Sequence, residues 1–100
     1  MLKSSQRAQL RSMANGIDTI VQVGKGGITE NVVKQVDGAL TAREIIKGRV
    51  LEASLMTARE AAEALGTACN AELVQVIGSR FVLYKENKKL SAEKRIKLVK

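Results

Sequence analysis

The sharpest chemical feature of the sequence is a glycine-rich segment with one cation, Gly24-Lys25-Gly26-Gly27. The β-rich run Thr19 to Val23 comes directly before it, and a helix capped by Thr29 is predicted after it. Backbone N–H groups at the start of a helix attract an anion, and glycines allow another backbone to approach closely. Lys25 would add a mobile positive charge. The pattern predicts a phosphate-binding loop, with an ordinary tight turn as the alternative.

Two familiar nucleotide-binding patterns are absent from this segment. A P-loop places Ser or Thr directly after its lysine, whereas Gly26 follows Lys25. A dinucleotide-binding loop would need glycine at position 29, where Thr29 stands. The segment therefore favours contact with the phosphates of a larger polyanion.

Residue types that usually carry catalysis or bind metals are scarce. The chain has no histidine and a single cysteine, Cys69. A lone cysteine lacks the base that would activate it as a nucleophile, and a metal site needs several ligands together. Glu60 and Glu63 fall on one solvated face of a predicted helix and suggest no acid/base pair. We therefore expect no enzymatic activity, no metal and no cofactor, with Cys69 as a small buried residue.

The charge of the chain predicts a polyanionic partner. The 100 residues include 17 basic and 10 acidic ones, for a net charge of +7, which favours nucleic acid or an anionic membrane surface. Much of the excess falls in residues 86–100, a predicted basic C-terminal tail that could be flexible or could add a short strand at Ile96 to Val99. No apolar run has the length of a membrane span. The N-terminal residues do not resemble a secretory signal and one cysteine cannot form an internal disulfide, so a cytoplasmic location is expected.

Four further cations are candidates for contact with a polyanion. Arg7 and Arg11 are four residues apart on the exposed face of the first predicted helix. Lys47 and Arg49 share one face of a predicted strand. Each pair could follow a phosphate chain. Alternatively, the first pair is only the solvated side of a helix, and the second pair extends into solvent at the edge of a sheet.

Aromatic residues limit the manner of nucleic-acid binding. The two in the chain, Phe81 and Tyr84, alternate to opposite faces of the last predicted strand, and Phe81 is expected in the core. A sheet that stacks several bases needs exposed aromatic side chains. Recognition of the backbone and the shape of a nucleic acid is therefore expected, and binding of that kind is sensitive to salt.

Apolar periodicity predicts seven elements in the order α-β-α-β-α-β-β. Thr57 with Glu60 forms a capping box, and Gly78-Ser79 predicts a type II′ hairpin turn. The first helix is predicted to be capped by Ser4 or Ser5 and to run to about Ala14. The other predicted bounds are Thr19 to Val23, Thr29 to about Ala42, Ile45 to Ala53, Thr57 to about Cys69, Leu73 to Ile77 and Phe81 to Tyr84. Together they predict one α/β domain over residues 1–85, a four-stranded mixed sheet packed with helices.

Four motifs occur in a telling order along the chain. They are the helix segment Gln6 to Ala14, the loop VGKGGIT (Val23 to Thr29), the strand opening EIIK (Glu44 to Lys47) and the hairpin Val74 to Lys85. Together they resemble the CRM domain (chloroplast RNA splicing and ribosome maturation) in its bacterial stand-alone, YhbY-like form. The resemblance covers about residues 2–85.

The resemblance implies a fold similar to the C-terminal domain of translation initiation factor three, and it implies RNA binding. The family's G-x-x-G loop maps onto Gly24 to Gly27 and is likened to the loop with which KH domains clamp nucleotides. The basic strand position maps onto Lys47, and the basic residue that ends the hairpin motif is Lys85. Gly48 departs from the family pattern, and a glycine there suggests a weakened strand or a bulge.

Stand-alone bacterial members of the family associate with precursors of the large ribosomal subunit. The resemblance therefore implies a cytoplasmic, ribosome-associated monomer that binds ribosomal RNA in pre-50S particles and assists their assembly. A module that docks on a ribosome assembly factor, with the basic tail incidental, is the alternative.

Overall fold

The seven predicted elements form in the predicted order in the computed structural model, which describes residues 2–99. The helices are α1 (Ser4–Ala14), α2 (Glu30–Arg43) and α3 (Ala58–Cys69), and the strands are β1 (Thr19–Val23), β2 (Ile45–Val50), β3 (Glu72–Ile77) and β4 (Arg80–Tyr84). Met1 and Lys100, the outermost residues of the predicted domain and tail, lie outside the described residues.

The four strands form one mixed sheet in the order β1-β2-β4-β3. β1 and β2 are parallel and are connected by α2, whereas β4 pairs antiparallel with both β2 and β3. In the β3–β4 turn the positive φ falls on Gly78 and not on Ser79, which is the pattern of the predicted type II′ turn. The predicted α/β fold class is confirmed.

Each face of the sheet has its own apolar core. α2 and α3 pack on one face, in a core that includes Ile46 and Phe81. α1 packs on the other face through Leu10 and Ala14. The strand residues of this smaller core are Ile45, Val74, Val82 and Tyr84. They lie mainly where β2 begins and β4 ends, so α1 covers one end of its face and leaves the other end exposed.

Short local signals set the ends of the helices. The Thr57 hydroxyl accepts a hydrogen bond from the Glu60 N–H (3.1 Å), and the Glu60 carboxylate accepts one from the Thr57 N–H (2.9 Å), so the predicted capping box is confirmed. Asn70 ends α3 in the left-handed region, with φ of 56°. The predicted cap of α2 is also present, since the Thr29 hydroxyl accepts from the Val32 N–H (3.2 Å).

Two predicted ends are wrong. β2 stops at Val50 instead of Ala53: the Leu51 N–H makes the last bond to β1, at the Val23 carbonyl (2.9 Å), and the Ser54 N–H then donates to the Leu51 carbonyl (3.0 Å) in a turn that leads away from the sheet. α1 begins at Ser4 with Lys3, not a serine, as its cap residue. The Gln6 side chain reaches back to accept from the Lys3 N–H (2.9 Å), although Lys3 itself offers no side-chain acceptor to the first N–H groups of the helix.

The packing of Phe81 requires the glycine at position 48. Pairing of β2 with β4 is continuous through Gly48, which lies opposite Phe81. The irregularity lies in the pairing with β1, between Thr19 and Val21. A β-carbon at Gly48 would lie 2.3 Å from Cζ of Phe81, and Phe81 is only 1% exposed. The ring therefore fills the space above the glycine, as aromatic residues often do in sheets.

Replacing Gly48 with alanine should destabilise the protein by about 1–3 kcal/mol, because the buried ring has no room to move aside. Urea denaturation measures this change. Adding Phe81→Leu to Gly48→Ala should cost less than the sum of the two single changes. Strictly additive costs would show that the ring does not determine the glycine.

Gly38→Ala is the matched control for this substitution. Gly38 lies within α2, and a β-carbon there would have nothing within 4 Å. Alanine should stabilise the helix at this position by up to about 1 kcal/mol.

Candidate nucleic-acid interface

The Gly24–Gly27 loop joins β1 to α2 as a tight turn. The Gly27 N–H donates to the Gly24 carbonyl (3.0 Å), while Lys25 and Gly26 are exposed at the tip. At the start of α2, the Thr29 hydroxyl accepts from the Val32 N–H and the Thr29 carbonyl accepts from the Val33 N–H. A phosphate at the exposed tip of the loop would meet the backbone amides of Lys25 and Gly26 and the ammonium group of Lys25.

The fold itself requires only the last of the three loop glycines. Gly27 has φ of 68°, in the left-handed region that favours glycine. Gly24 and Gly26 have no such φ, and β-carbons there would lie 3.8 Å from Leu51 and 3.5 Å from Thr29, which is ordinary contact. A plain turn therefore explains one of the three glycines and leaves Gly24 and Gly26 unexplained.

The segment that follows β2 lies beside this loop. Leu51 is next to Gly24, and the Met56 sulfur is next to Gly27. Both residues line an open depression of about 710 Å³ that extends to the hairpin turn. Its other lining residues are Arg49, Val50, Glu52, Ser54, Thr57, Ala58, Gly78 and Ser79. The loop, the end of β2 and the hairpin turn thus share one end of the molecule.

Three cations lie on the part of the sheet that α1 leaves uncovered. Lys47 is half-buried and Arg49 is exposed, on the face that carries α1. Arg80 of β4 is also exposed and lies directly opposite Arg49 in the register of the sheet. Within residues 2–99, none of the three makes an ion pair. Arg11 is exposed in the last turn of α1, the helix that borders this region.

Arg7 and Lys85 lie at the opposite end of the sheet and have partners within the protein. The Arg7 guanidinium donates to the Leu73 carbonyl and lies 3.7 Å from the Glu72 carboxylate. The Lys85 ammonium lies 3.7 Å from the Asp37 carboxylate. RNA contacts of these two residues stay predictions, and each would have to exchange or share an internal partner.

The end of the basic tail lies along α1. The Gln6 side-chain amide donates to the Val99 carbonyl (2.9 Å), and that of Gln9 donates to the Lys97 carbonyl (2.8 Å). The Val99 N–H in turn donates to the Gln9 side-chain oxygen (2.8 Å). The short strand predicted at Ile96 to Val99 is not formed, because these backbone groups bind helix side chains. Ile96 and Leu98 pack against the smaller core, and Lys97 faces solvent.

A buried carboxylate holds the start of this tail. Glu44 is 0% exposed, and its oxygens accept hydrogen bonds from the N–H groups of Asn87 and Ile96, each 2.6 Å long. Arg95 places its Nε 4.0 Å away. The backbone of Glu44 ends α2 in the left-handed region, and its carbonyl accepts from the Lys85 N–H (2.8 Å). One residue therefore joins α2, β4 and the tail.

The aromatic rings and the thiol are inside the protein. Phe81 and Tyr84 are 1% and 4% exposed and lie in the cores of opposite faces, as predicted. Burial raises the pKa of the Tyr84 hydroxyl, and the Glu44 carboxylate raises it further. Cys69 is buried, and burial likewise raises the pKa of its thiol. A buried, protonated thiol is a poor nucleophile.

Residues 2–99 lack two further features. No helix among them combines the length and apolar character of a membrane span. They also contain no group of three or more His, Cys, Asp or Glu side chains placed to hold a metal ion.

Comparisons with known proteins identify related chains. The model of the CRS1/YhbY (CRM) domain matches residues 2–85. The "Probable RNA-binding protein YqeI" of Bacillus subtilis is 47% identical over 88 residues, which are 88% of this chain and 92% of that protein. The "Probable RNA-binding protein MJ0652" of Methanocaldococcus jannaschii is 38% identical over 104 residues, covering 99% of this chain and 77% of that protein.

A solved structure extends the comparison to the fold. The solution structure of SAV1595 from Staphylococcus aureus, described as a candidate RNA-binding protein, matches with a TM-score of 0.79 and 47% identity. The match covers 99% of this chain and 100% of that one. The resemblance inferred from four sequence motifs is therefore confirmed.

Glu44→Gln should destabilise the protein by about 2–4 kcal/mol. The amide keeps the shape of the side chain but turns one of its two acceptors into a donor that faces a backbone N–H. Amide hydrogen exchange should then accelerate at Asn87 and Ile96 before it does so in the sheet.

Glu86→Gln is the control for Glu44→Gln. It also removes a carboxylate near Arg95, at 3.3 Å, but the Glu86 side chain is 49% exposed, so the change should be worth less than about 1 kcal/mol. Equal effects of the two variants would contradict the special role of Glu44.

Proposed function

Because this chain belongs to the CRS1/YhbY (CRM) domain family, we propose that it is an RNA-binding protein without catalytic activity. The proposed ligand is ribosomal RNA in precursors of the large (50S) subunit, whose assembly the protein would assist in the cytoplasm. The Gly24–Gly27 loop would hold a backbone phosphate, and the basic residues of the sheet, α1 and the tail would extend the contact.

The observation that carries the proposal is the pair of glycines that the fold does not require. A β-carbon at Gly24 or Gly26 would meet only ordinary contacts, so a turn that served structure alone could carry alanine there. An RNA backbone can approach within hydrogen-bond distance of the Gly26 amide only because position 26 has no side chain. Lys25, exposed between them, supplies the charge that a phosphate requires.

The surface favours recognition of the RNA backbone over its bases. Both aromatic rings are buried, so they offer no platform for stacking. Exposed cations contact phosphates, which fix position but carry no sequence information. The proposed binding is therefore salt-dependent and only weakly sequence-specific.

Two observations bear on the choice between RNA and protein as the partner. Leu55 is 98% exposed in the turn after β2, which could favour docking on an assembly factor. The unpaired cations of the same end favour RNA, and the relatives named above are described as RNA-binding proteins. The ribosomal part of the proposal rests on the properties that the resemblance implied for stand-alone bacterial members.

Gly26→Ala should weaken binding to a large-subunit ribosomal RNA fragment without altering charge or stability. The added methyl group meets only Thr29, at 3.5 Å, but it occupies the path of the RNA backbone. We expect at least about a fivefold rise in the dissociation constant, or roughly 1 kcal/mol. Gly38→Ala serves as the control and should bind as the unchanged protein does. If Gly26→Ala binds the RNA as tightly as the unchanged protein does, the loop is only a turn and has no role in binding.

Lys25→Asp with Gly26→Asp should lower affinity further and also reduce the salt dependence. Each phosphate contact contributes roughly 0.7–0.9 to the slope of log affinity against log salt, so the slope should fall by about one contact. Arg43→Gln, at the far end of α2, should leave the slope nearly unchanged. A double variant that is folded, as judged by circular dichroism, yet keeps the full slope would contradict the proposed phosphate contact.

The protein should sediment with precursors of the large subunit in a sucrose gradient of a cell lysate. Limited ribonuclease treatment should release it, because RNA is the proposed contact. If it stays bound to a protein factor after complete digestion, docking on that factor becomes the better account.

A further inference from the structure

The open half of the sheet contains an arrangement that is unfavourable in the free protein. Arg49 and Arg80 are directly opposite each other on β2 and β4, with their side chains on the same face. Like charges in such a cross-strand pair repel and destabilise a sheet. No carboxylate within residues 2–99 pairs with either guanidinium. Glu52 lines the same depression as Arg49 but makes no ion pair with it.

Lys47 adds a third positive charge to this pair. It lies two residues before Arg49 on the same face and opposite Val82 of β4. Neighbouring strands are about 4.8 Å apart, and alternate residues along a strand are roughly 6.6 Å apart. The three charged heads can therefore gather around one phosphate or two consecutive ones.

A small depression next to these cations combines apolar surface with side-chain amides. It has a volume of about 120 Å³ and lies between the end of α1 and strands β3 and β4. Ile77, which is 63% exposed, supplies apolar surface, while Asn15 and Gln75 supply the amides. The full lining is Ala14, Asn15, Lys47, Gln75, Ile77, Arg80, Phe81 and Val82. Amide groups can both donate to and accept from a base edge or a ribose hydroxyl.

Arg49 connects this region to the glycine loop. Its side chain lines the depression that Leu51 and Met56 share, and those two residues lie against Gly24 and Gly27. The depression thus leads from the glycine loop, past Leu51 and Met56, to Arg49, and Arg49 is in turn paired with Arg80 in the sheet.

We propose that Arg49 and Arg80 form a second phosphate site for a single-stranded RNA segment that runs from the glycine loop across the sheet. Lys47 contacts the adjoining phosphate, and the depression beside Arg80 holds an unpaired base. The site deepens the proposed function and rests on it. A narrow concave site suits an unpaired nucleotide, because the bases of a duplex are stacked and paired within the helix.

The proposal gives a signature that a merely solvated basic face would not show. Removing one arginine of the pair relieves repulsion in the free protein and removes a phosphate contact in the complex. Arg80→Gln should therefore raise the urea midpoint at low salt while weakening binding. Added salt should screen away the gain in stability.

The test measures binding of purified protein to a 12-nucleotide oligouridylate and to an RNA duplex of equal length, at several salt concentrations. Arg80→Gln should bind the single strand about tenfold more weakly, and the salt slope should fall by about one contact. The duplex should lose less. Arg49→Gln combined with Arg80→Gln should lose less than the product of the single effects, because both residues contact the same phosphate.

Two variants serve as controls. Arg59→Gln removes one positive charge from α3, on the opposite side of the sheet, where the side chain is 65% exposed beside Glu63, and it should bind nearly as the unchanged protein does. Arg80→Lys keeps the positive charge but loses the planar guanidinium with its paired donors. Its affinity for the single strand should therefore fall between that of Arg80→Gln and that of the unchanged protein.

The outcomes separate this site from the function on which it rests. If the unchanged protein binds neither of these RNAs nor the large-subunit ribosomal RNA fragment, the proposed function fails, whereas binding to the fragment alone overturns only the second site. If it binds and Gly26→Ala weakens it, while Arg80→Gln behaves as Arg59→Gln does, only the second site is overturned. A larger loss on the duplex overturns the single-stranded assignment, and a urea midpoint that does not rise at low salt overturns the inferred repulsion.

Discussion

The arrangement of this small domain depends on the buried carboxylate of Glu44. Its backbone ends α2 and leads directly into β2, while its carbonyl accepts a hydrogen bond from the first N–H after β4. Its side chain binds two backbone N–H groups of the tail, at Asn87 and Ile96. A charge in this position is costly to bury unless several donors satisfy it. The tail supplies those donors, so folding of the domain and placement of the tail are coupled.

Residues that the fold does not require gather at the other end of the sheet. Gly24 and Gly26 have room for a β-carbon, and Arg49 faces Arg80 with no ion pair to a carboxylate of residues 2–99. Gly48, by contrast, is determined by the Phe81 ring. Local features that cost stability, or that stability does not explain, are expected where a protein meets its ligand. This contrast separates structural glycines from candidate functional ones within a single chain, without reference to relatives.

Much of the fold could be predicted from local signals, because those signals act locally. The Thr57 capping box, the Gly78 turn and the apolar periodicities each depend on a few adjacent residues. The role of Glu44 could not be predicted, since its partners lie more than 40 positions away and are backbone groups that every residue carries. The contact between Gly48 and Phe81 could not be predicted for a similar reason, because it exists only in the β2–β4 register. The face on which Arg80 lies could have been predicted from the sequence. A two-residue hairpin turn fixes the alternation of β4 and places Arg80 on the same face as Tyr84.

The positions of the tail lysines change how their charge can act. An unstructured arm loses conformational entropy when it is ordered on RNA, and this loss offsets much of the gain from each weak surface contact. Here Glu44 and the glutamines of α1 already hold the backbone of the tail. Lys97 therefore projects from a defined position beside α1, and Lys94 follows Ser91 in a turn. Cations whose backbone is held before binding can match the phosphate positions of a folded RNA. Recognition of shape by these cations takes the place of base stacking, for which the two buried aromatic rings offer no surface.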